Sequence, residues 1–180
     1  LGPLVDVERR RPLGAGTPDP RARERLRPVT FDSAFAHARL TDRDMAGCCL
    51  SGLWLLHDFL DEAHTACHDI DTPSGSYWHA LMHRREGDFS NARYWFRRVE
   101  THEVFAPLGQ RAVELAASRG DERSAGRLAA GGEWDPFVFV DLVESVERGR
   151  QPAARDLCLD IQQAEWELLF DWCYRKAVRK

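Results

Sequence analysis

Apolar residues recur at helical spacing through most of the chain, at about 100° per residue on a wheel. From Met45 to about Cys67, the residues Met45, Cys49, Leu53, Leu56, Leu60, Ala63 and Cys67 share one arc. That arc predicts a single core-facing helix, with Ser51, Asp58, Glu62 and Thr65 on its far side. Thr41 reads as its cap, with Asp44 three residues on in the manner of a capping box. Gly47 and Gly52 lie inside it, tolerated or admitting a close neighbour. The turn Asp71-Thr72-Pro73-Ser74-Gly75-Ser76 ends it. A second helix starts near Ser74 to Tyr77, with Tyr77, Trp78, Leu81 and Met82 as its apolar face. Gly87-Asp88 separates it from a third, Phe89 to Glu100, faced by Phe89, Ala92, Trp95, Phe96 and Val99. Further helices are expected at Phe31–Arg39, Leu108–Ser118, Phe137–Arg148 and from Pro152 to about Val178. Asp135-Pro136 marks the start of the penultimate one. The last carries two apolar stripes, which places it centrally in a bundle. Residues 119–133 read as loop or a short helix. No stretch alternates as a strand does. The pattern therefore predicts an all-α fold, a single-domain irregular bundle of six or seven helices spanning 29–180.

Two charged residues break the pattern. Arg85 falls in the middle of the second helix's apolar face, and Glu165 falls within the apolar arc of the last. A charge in such a position is costly unless paired. Arg85 is thus expected at a frayed end, in a buried ion pair or at an anion site. Glu165 is expected to pair with a buried Arg or to belong to the functional site.

Residues 1–28 differ from the body: rich in Arg, Pro and Gly, without periodicity, and carrying seven Arg against Asp6, Glu8, Asp19 and Glu24. They predict a basic flexible arm, extended or disordered. The whole chain has 180 residues and a net charge of −4, so the remainder is mildly acidic, which argues against a general nucleic-acid binder. No apolar run reaches membrane-span length, and no charged-then-apolar leader precedes the body. Five cysteines without a CxxC spacing read as reduced core thiols of a cytoplasmic protein, with Cys67 near enough to the histidines to be considered as a nucleophile. The surface composition and the arm permit a homodimer.

The candidate chemistry lies between His57 and Arg98. On the first helix His57, Asp61, His64 and His68 follow an i, i+4, i+7, i+11 stripe; on the second His79 and His83 stand at i, i+4. Imidazole pairs at that spacing reach one divalent ion, and a carboxylate is a usual further ligand. His57, His64, His79 and His83 are therefore the expected metal ligands. Asp61 or Glu62 would supply the catalytic carboxylate, and Arg85 or Arg97 would hold an anionic substrate group. His102 and Glu103 lie in a loop that could complete the shell. The spacing His79-Ala80-Leu81-Met82-His83 lacks the Glu of a zinc-protease helix, and the Glu-x-x-His signature of helix-bundle metal sites is also missing. The expectation is a metal-dependent enzyme acting on a small polar or anionic molecule. The alternative is a helical interaction module that docks a protein on the aromatic and arginine face of residues 77–98.

Glu86-Gly87-Asp88-Phe89, followed by Ala92, Phe96 and Val99, resembles the second half of a tetratricopeptide repeat. Gly120-Asp121 with Ala125 recurs 33 residues later, near the repeat length of about 34. His83 stands where that repeat has an aromatic, and its Trp-x-x-Leu-Gly is absent. The resemblance implies helical hairpins. The segments Ser51–His64 and Ser76–Val99 also resemble an uncharacterised family of small all-α proteins, which implies a fold and no activity.

Overall fold

A computed structural model describes residues 2–5, 7, 10–129 and 133–179. The fold is an all-α single-domain bundle. Its helices are α1 (Gly2–Val5), α2 (Pro20–Leu26), α3 (Phe31–Ala34), α4 (Arg43–Leu56), α5 (Leu60–Cys67), α6 (Pro73–Glu86), α7 (Phe89–Val99), α8 (Phe105–Ser118), α9 (Glu122–Leu128), α10 (Pro136–Glu147) and α11 (Arg155–Ala177). A 3₁₀ turn, Pro152–Ala154, leads into α11. Seven of these, α4 to α8, α10 and α11, are eight residues or longer. Among the described residues the extended structure is one two-residue antiparallel pairing, Arg39–Leu40 with Val178–Arg179.

Local capping sets most helix starts. Thr72 accepts from Gly75 N–H ahead of α6, Asp88 from Asn91 N–H ahead of α7, and Asp135 from Phe137 and Val138 N–H ahead of α10. At α4 the cap is Asp42, which accepts from Met45 N–H at 3.0 Å. Thr41 instead donates to Ala177 O, tying the start of α4 to the end of α11. The Gly87-Asp88 and Gly120-Asp121 steps both sit at hairpin turns, joining α6 to α7 and α8 to α9.

The expected single helix from Met45 to Cys67 is two. α4 stops at His57, Asp58 takes a left-handed conformation (φ 65°), and α5 begins at Leu60. A continuous helix would have turned Asp58 to solvent. The break instead brings it inside, 2.6 Å from Arg85 Nη2, and folds α5 back along α4. Ser51 Oγ donates to Ala63 O across that hairpin, and Gly47 and Gly52 allow the approach of Ile70 and Trp78. A Cβ at Gly52 would stand 2.8 Å from the Trp78 ring.

α11 runs through the middle, with both stripes used. Leu157, Ile161, Ala164, Trp166, Leu169 and Cys173 are buried, and the helix packs against α4, α8 and α10. Glu165 is fully buried and paired with Arg84 at 2.5 Å. All five cysteines are free and buried. No helix among the described residues is long and apolar enough to cross a membrane.

Several described residues of the N-terminal segment are packed on the bundle, while residues 15–19 are irregular and exposed. Leu4, Leu13, Ala22 and Leu26 are buried, and Leu4, Ala22 and Leu26 form a small cluster with Leu53 and Phe59. Backbone carbonyls do the rest. Arg85 donates to Gly14 O and Ala15 O, and Gln162 donates to Arg11 O and Pro12 O. Arg10 bridges Asp156 and Asp160 on α11. Leu1, Asp6, Glu8 and Arg9 lie outside the described residues, as do Gly131 and Gly132 of the 119–133 segment.

Candidate metal centre

α5 and the last turn of α6 bring three donor side chains together. His64 faces His83 with ring centroids 4.8 Å apart. Glu86, one turn beyond His83, lies between the two rings. Its Oε1 is 3.1 Å from His64 Nε2 and its Oε2 is 2.8 Å from His83 Nδ1. One ligand atom from each residue falls within 4.8 Å of the others. All three are partly open to solvent. With the carboxylate ionised, both imidazoles donate to it, and the cluster is a His–Glu–His bridge.

His79 stands behind this trio, 5.4 Å from the His64 ring. Its Nδ1 donates to Gly75 O at 2.9 Å, which fixes the proton there and leaves Nε2 as the basic nitrogen, 3.7 Å from Cys67 Sγ. Trp95 stacks on the ring at 4.2 Å. Burial lowers the pKa of both His64 and His79. At His64 it outweighs the opposing attraction of Glu86, and the neighbouring His83 lowers it further. Neutral imidazole, the ligating form, is therefore favoured at both. Burial also pushes the Cys67 thiol up to about 11, which makes it a poor nucleophile despite its place beside His79.

Of the expected ligands, His64 and His83 converge, with His79 adjacent; His57 does not. It caps the C-terminus of α4, is buried, and donates through Nε2 to Leu4 O at 2.9 Å, toward the arm. The reason is the break at residues 57–59, which takes His57 off the wheel that carries His64. Asp61 is exposed on the first turn of α5, within one turn of His64. Glu62 is turned to Arg23, at 2.8 Å. Arg85 is enclosed, spending its donors on Asp58, Leu55 O, Gly14 O and Ala15 O. Arg97 is exposed on α7. Glu86 is the residue that sequence reading missed. The signal was present as His83-x-x-Glu86, the reverse order of the Glu-x-x-His motif and equally a one-turn spacing. The face of residues 77–98 is only partly a surface: Tyr77, Trp78, Arg84 and Arg85 are buried, Tyr94, Arg97 and Arg98 are exposed, and Arg93 and Trp95 are half-buried.

His102 and Glu103 belong to a different place. His102 lies between two concavities of about 690 and 380 Å³. Its Nδ1 accepts Val104 N–H at 3.2 Å, so the neutral ring carries its proton on Nε2, which faces Ser74 Oγ at 3.0 Å. The imidazole thus donates to Ser74 and is not placed to take its proton. Glu103 is engaged by Trp172 and Lys176. Burial pushes His102 down to about 4. The folded state binds a proton there less readily than the unfolded chain does. Stability from this group is complete above the unfolded pKa of about 6.5 and is lost as pH falls toward 4. The loss expected is about 2–3 kcal/mol. Urea unfolding at pH 7.5 and pH 4 measures it. His102→Gln flattens the dependence by most of that amount, and His64 and His79 contribute the remainder in the same direction.

No protein-family model matches the chain, and no curated protein or solved structure matches it.

Proposed function

We propose that the chain binds a divalent transition-metal ion through His64, His83 and Glu86 and uses it on a small polar molecule. The observation that carries this reading is the bridging position of Glu86 between two imidazoles on different helices. Two nitrogens and one carboxylate oxygen suit zinc, iron, cobalt or nickel, and a three-residue set leaves coordination positions open. An ion with bonds of about 2.0–2.1 Å holds its ligand atoms no more than about 4.2 Å apart. The trio, with donors within 4.8 Å, must therefore close by at least about half an ångström, and by more for a tetrahedral ion. To ligate through the nitrogens that now face Glu86, each neutral ring would shift its proton to its other nitrogen, and an imidazolium would have to lose one, so affinity would fall at acid pH. The bound ion would supply Lewis acidity. Asp61, exposed one turn from His64, is the carboxylate this reading assigns as base. Arg85 drops out as a substrate ligand because Asp58 holds it. The exposed Arg97 stays as the arginine for an anionic group. Five free, buried thiols fit a reducing compartment such as the cytoplasm. The interaction-module alternative has lost the buried residues of its docking face.

The test is titration of the metal-free protein with cobalt and zinc, read by cobalt absorption and elemental analysis. One equivalent is expected, with the spectrum of a nitrogen- and oxygen-ligated ion. Glu86→Gln and His83→Ala should each weaken binding by about 100-fold or more, while His57→Ala leaves it unchanged. No binding at micromolar metal, or equal loss in the His57 variant, would overturn the reading.

A further inference from the structure

α6 has two chemical sides at its last turn. His83 and Glu86 face outward, while Arg84 and Arg85 point into the bundle. There α4, α6, α11 and residue 11 of the arm line a partly open cavity of about 20 Å³. Arg11, Arg84, Arg85, Gln162, Leu81 and Trp166 are among its walls. A single water needs about 10–15 Å³, so the space suits a water or an ion of a few atoms.

The polar groups at this cavity are incompletely matched. Arg84 is 1% exposed and bonds Glu165 through Nη2, yet its Nε and Nη1 have no protein acceptor. Arg11 Nε is in the same condition. The carboxylates that face these groups are Asp58 and Glu165. Asp58 serves Arg85 and, at 4.0 Å, Arg11; Glu165 serves Arg84 and accepts from Tyr77. Three guanidinium groups thus meet two carboxylates, leaving one positive charge in excess beside unbonded N–H donors.

We propose that this cavity binds a small monovalent anion, of the size of chloride or formate, between Arg84 and Arg11. A water would accept from the free N–H groups but leave the excess positive charge, shared by the buried Arg84 and the 29% exposed Arg11, without a counter-charge. A monoanion answers both. A divalent oxyanion such as sulfate would exceed both the space and the charge. Gln162 Oε1, also unbonded, is an acceptor, so the anion sits at the arginine end. The arm closes the site. Arg11 is one of its walls, and residues 11, 12, 14 and 15 are held by the Gln162 and Arg85 donors. An anion that binds only the closed form stabilises it by mass action, so its concentration governs arm docking. This site is separate from the metal reading and stands or falls without it.

The experiment uses the full chain at fixed ionic strength, replacing a bulky sulfonate by chloride, bromide, formate or sulfate. The thermal midpoint should rise with the logarithm of the concentration of a small monovalent anion, by about 5–10 °C at a hundredfold excess over Kd, and stay flat with sulfate. At equal concentration, a larger rise with formate than with the halides assigns a carboxylate ligand; the reverse order assigns a halide. Bromide-soaked crystals should show an anomalous peak within hydrogen-bonding reach of Arg84. Arg11→Met, at a side chain 29% exposed, should fold and lose the ion-specific rise. A midpoint equal in all salts, or a cavity without a bromide peak, would overturn the proposal.

Discussion

Glu165→Leu is expected to cost about 3–5 kcal/mol, because it strands the Arg84 guanidinium in the core. Both partners are fully buried, 2.5 Å apart, and Tyr77 Oη donates to the second carboxylate oxygen at 3.0 Å. The Phe139 ring, 4.7 Å from Arg84 Cζ, gives the cation a weak further contact and no acceptor. Burial, with the Glu165 charge beside it, raises the Tyr77 pKa well above its ordinary value, so Tyr77 stays the donor over the working pH range. Small domains are stable by only about 5–15 kcal/mol, so this single change approaches global unfolding. The Arg84→Met/Glu165→Leu double variant should recover most of the loss or exceed the parent, since removing both charges also removes their desolvation cost. Urea unfolding of the two single variants and the double one, taken as a cycle, gives the coupling. A double variant as unstable as the sum of the singles would mean that these side chains matter for their shape and not for their charge.

This pair also shows what a sequence reveals of such a molecule. Glu165 and Arg85 both stood out as charges inside apolar arcs, and both are buried and paired. Helix starts at Thr72-Pro73, Asp88 and Asp135-Pro136 were legible because a cap is a local device, its donor and acceptor lying within three residues. The break at residues 57–59 was not legible. Its cause is Arg85, 27 residues away, and the apolar arc runs on through it as though the helix were whole. That one break removes His57 from the cluster that its spacing implies. The docking of the arm was hidden for a related reason. Residues 11–15 are held by their backbone carbonyls, which every residue type possesses, and by the single buried side chain of Leu13, and one apolar residue sets no period. Histidine spacing on each helix does not point to Glu86. The third donor becomes evident only when α5 is laid against α6.

Asp58→Asn is expected to free the N-terminal arm before the bundle unfolds. Asparagine keeps the shape and tolerates the left-handed backbone at this position (φ 65°), so the change isolates the charge. Asp58 is the carboxylate that holds Arg85 Nη2, at 2.6 Å, and Arg85 in turn binds the carbonyls of Gly14, Ala15 and Leu55. Burial already lowers the Arg85 pKa even with Asp58 in place, a sign of how much that cation depends on its partner. Without the carboxylate the guanidinium is expected to move toward water, at a loss of about 3–5 kcal/mol, and its grip on residues 14 and 15 goes with it. Arg21, Arg23, Arg25 and Arg27 are exposed but protected by α2 and its contacts with Leu53 and Phe59. When opening is fast, cleavage follows the open population, and about 1.4 kcal/mol is a tenfold change in rate. Trypsin should therefore cut the Asp58→Asn arm about 100-fold or more faster than the parent, at Arg21, Arg23 and Arg25 because Pro28 blocks cleavage after Arg27, with the 26–180 fragment persisting. Glu62→Ala, which breaks only the exposed pair with Arg23, should change that rate by less than about fivefold. If arm and body were instead cut together at one rate, residues 10–28 would be part of the cooperative core. The anion cavity that they close would then open only when the whole chain unfolds.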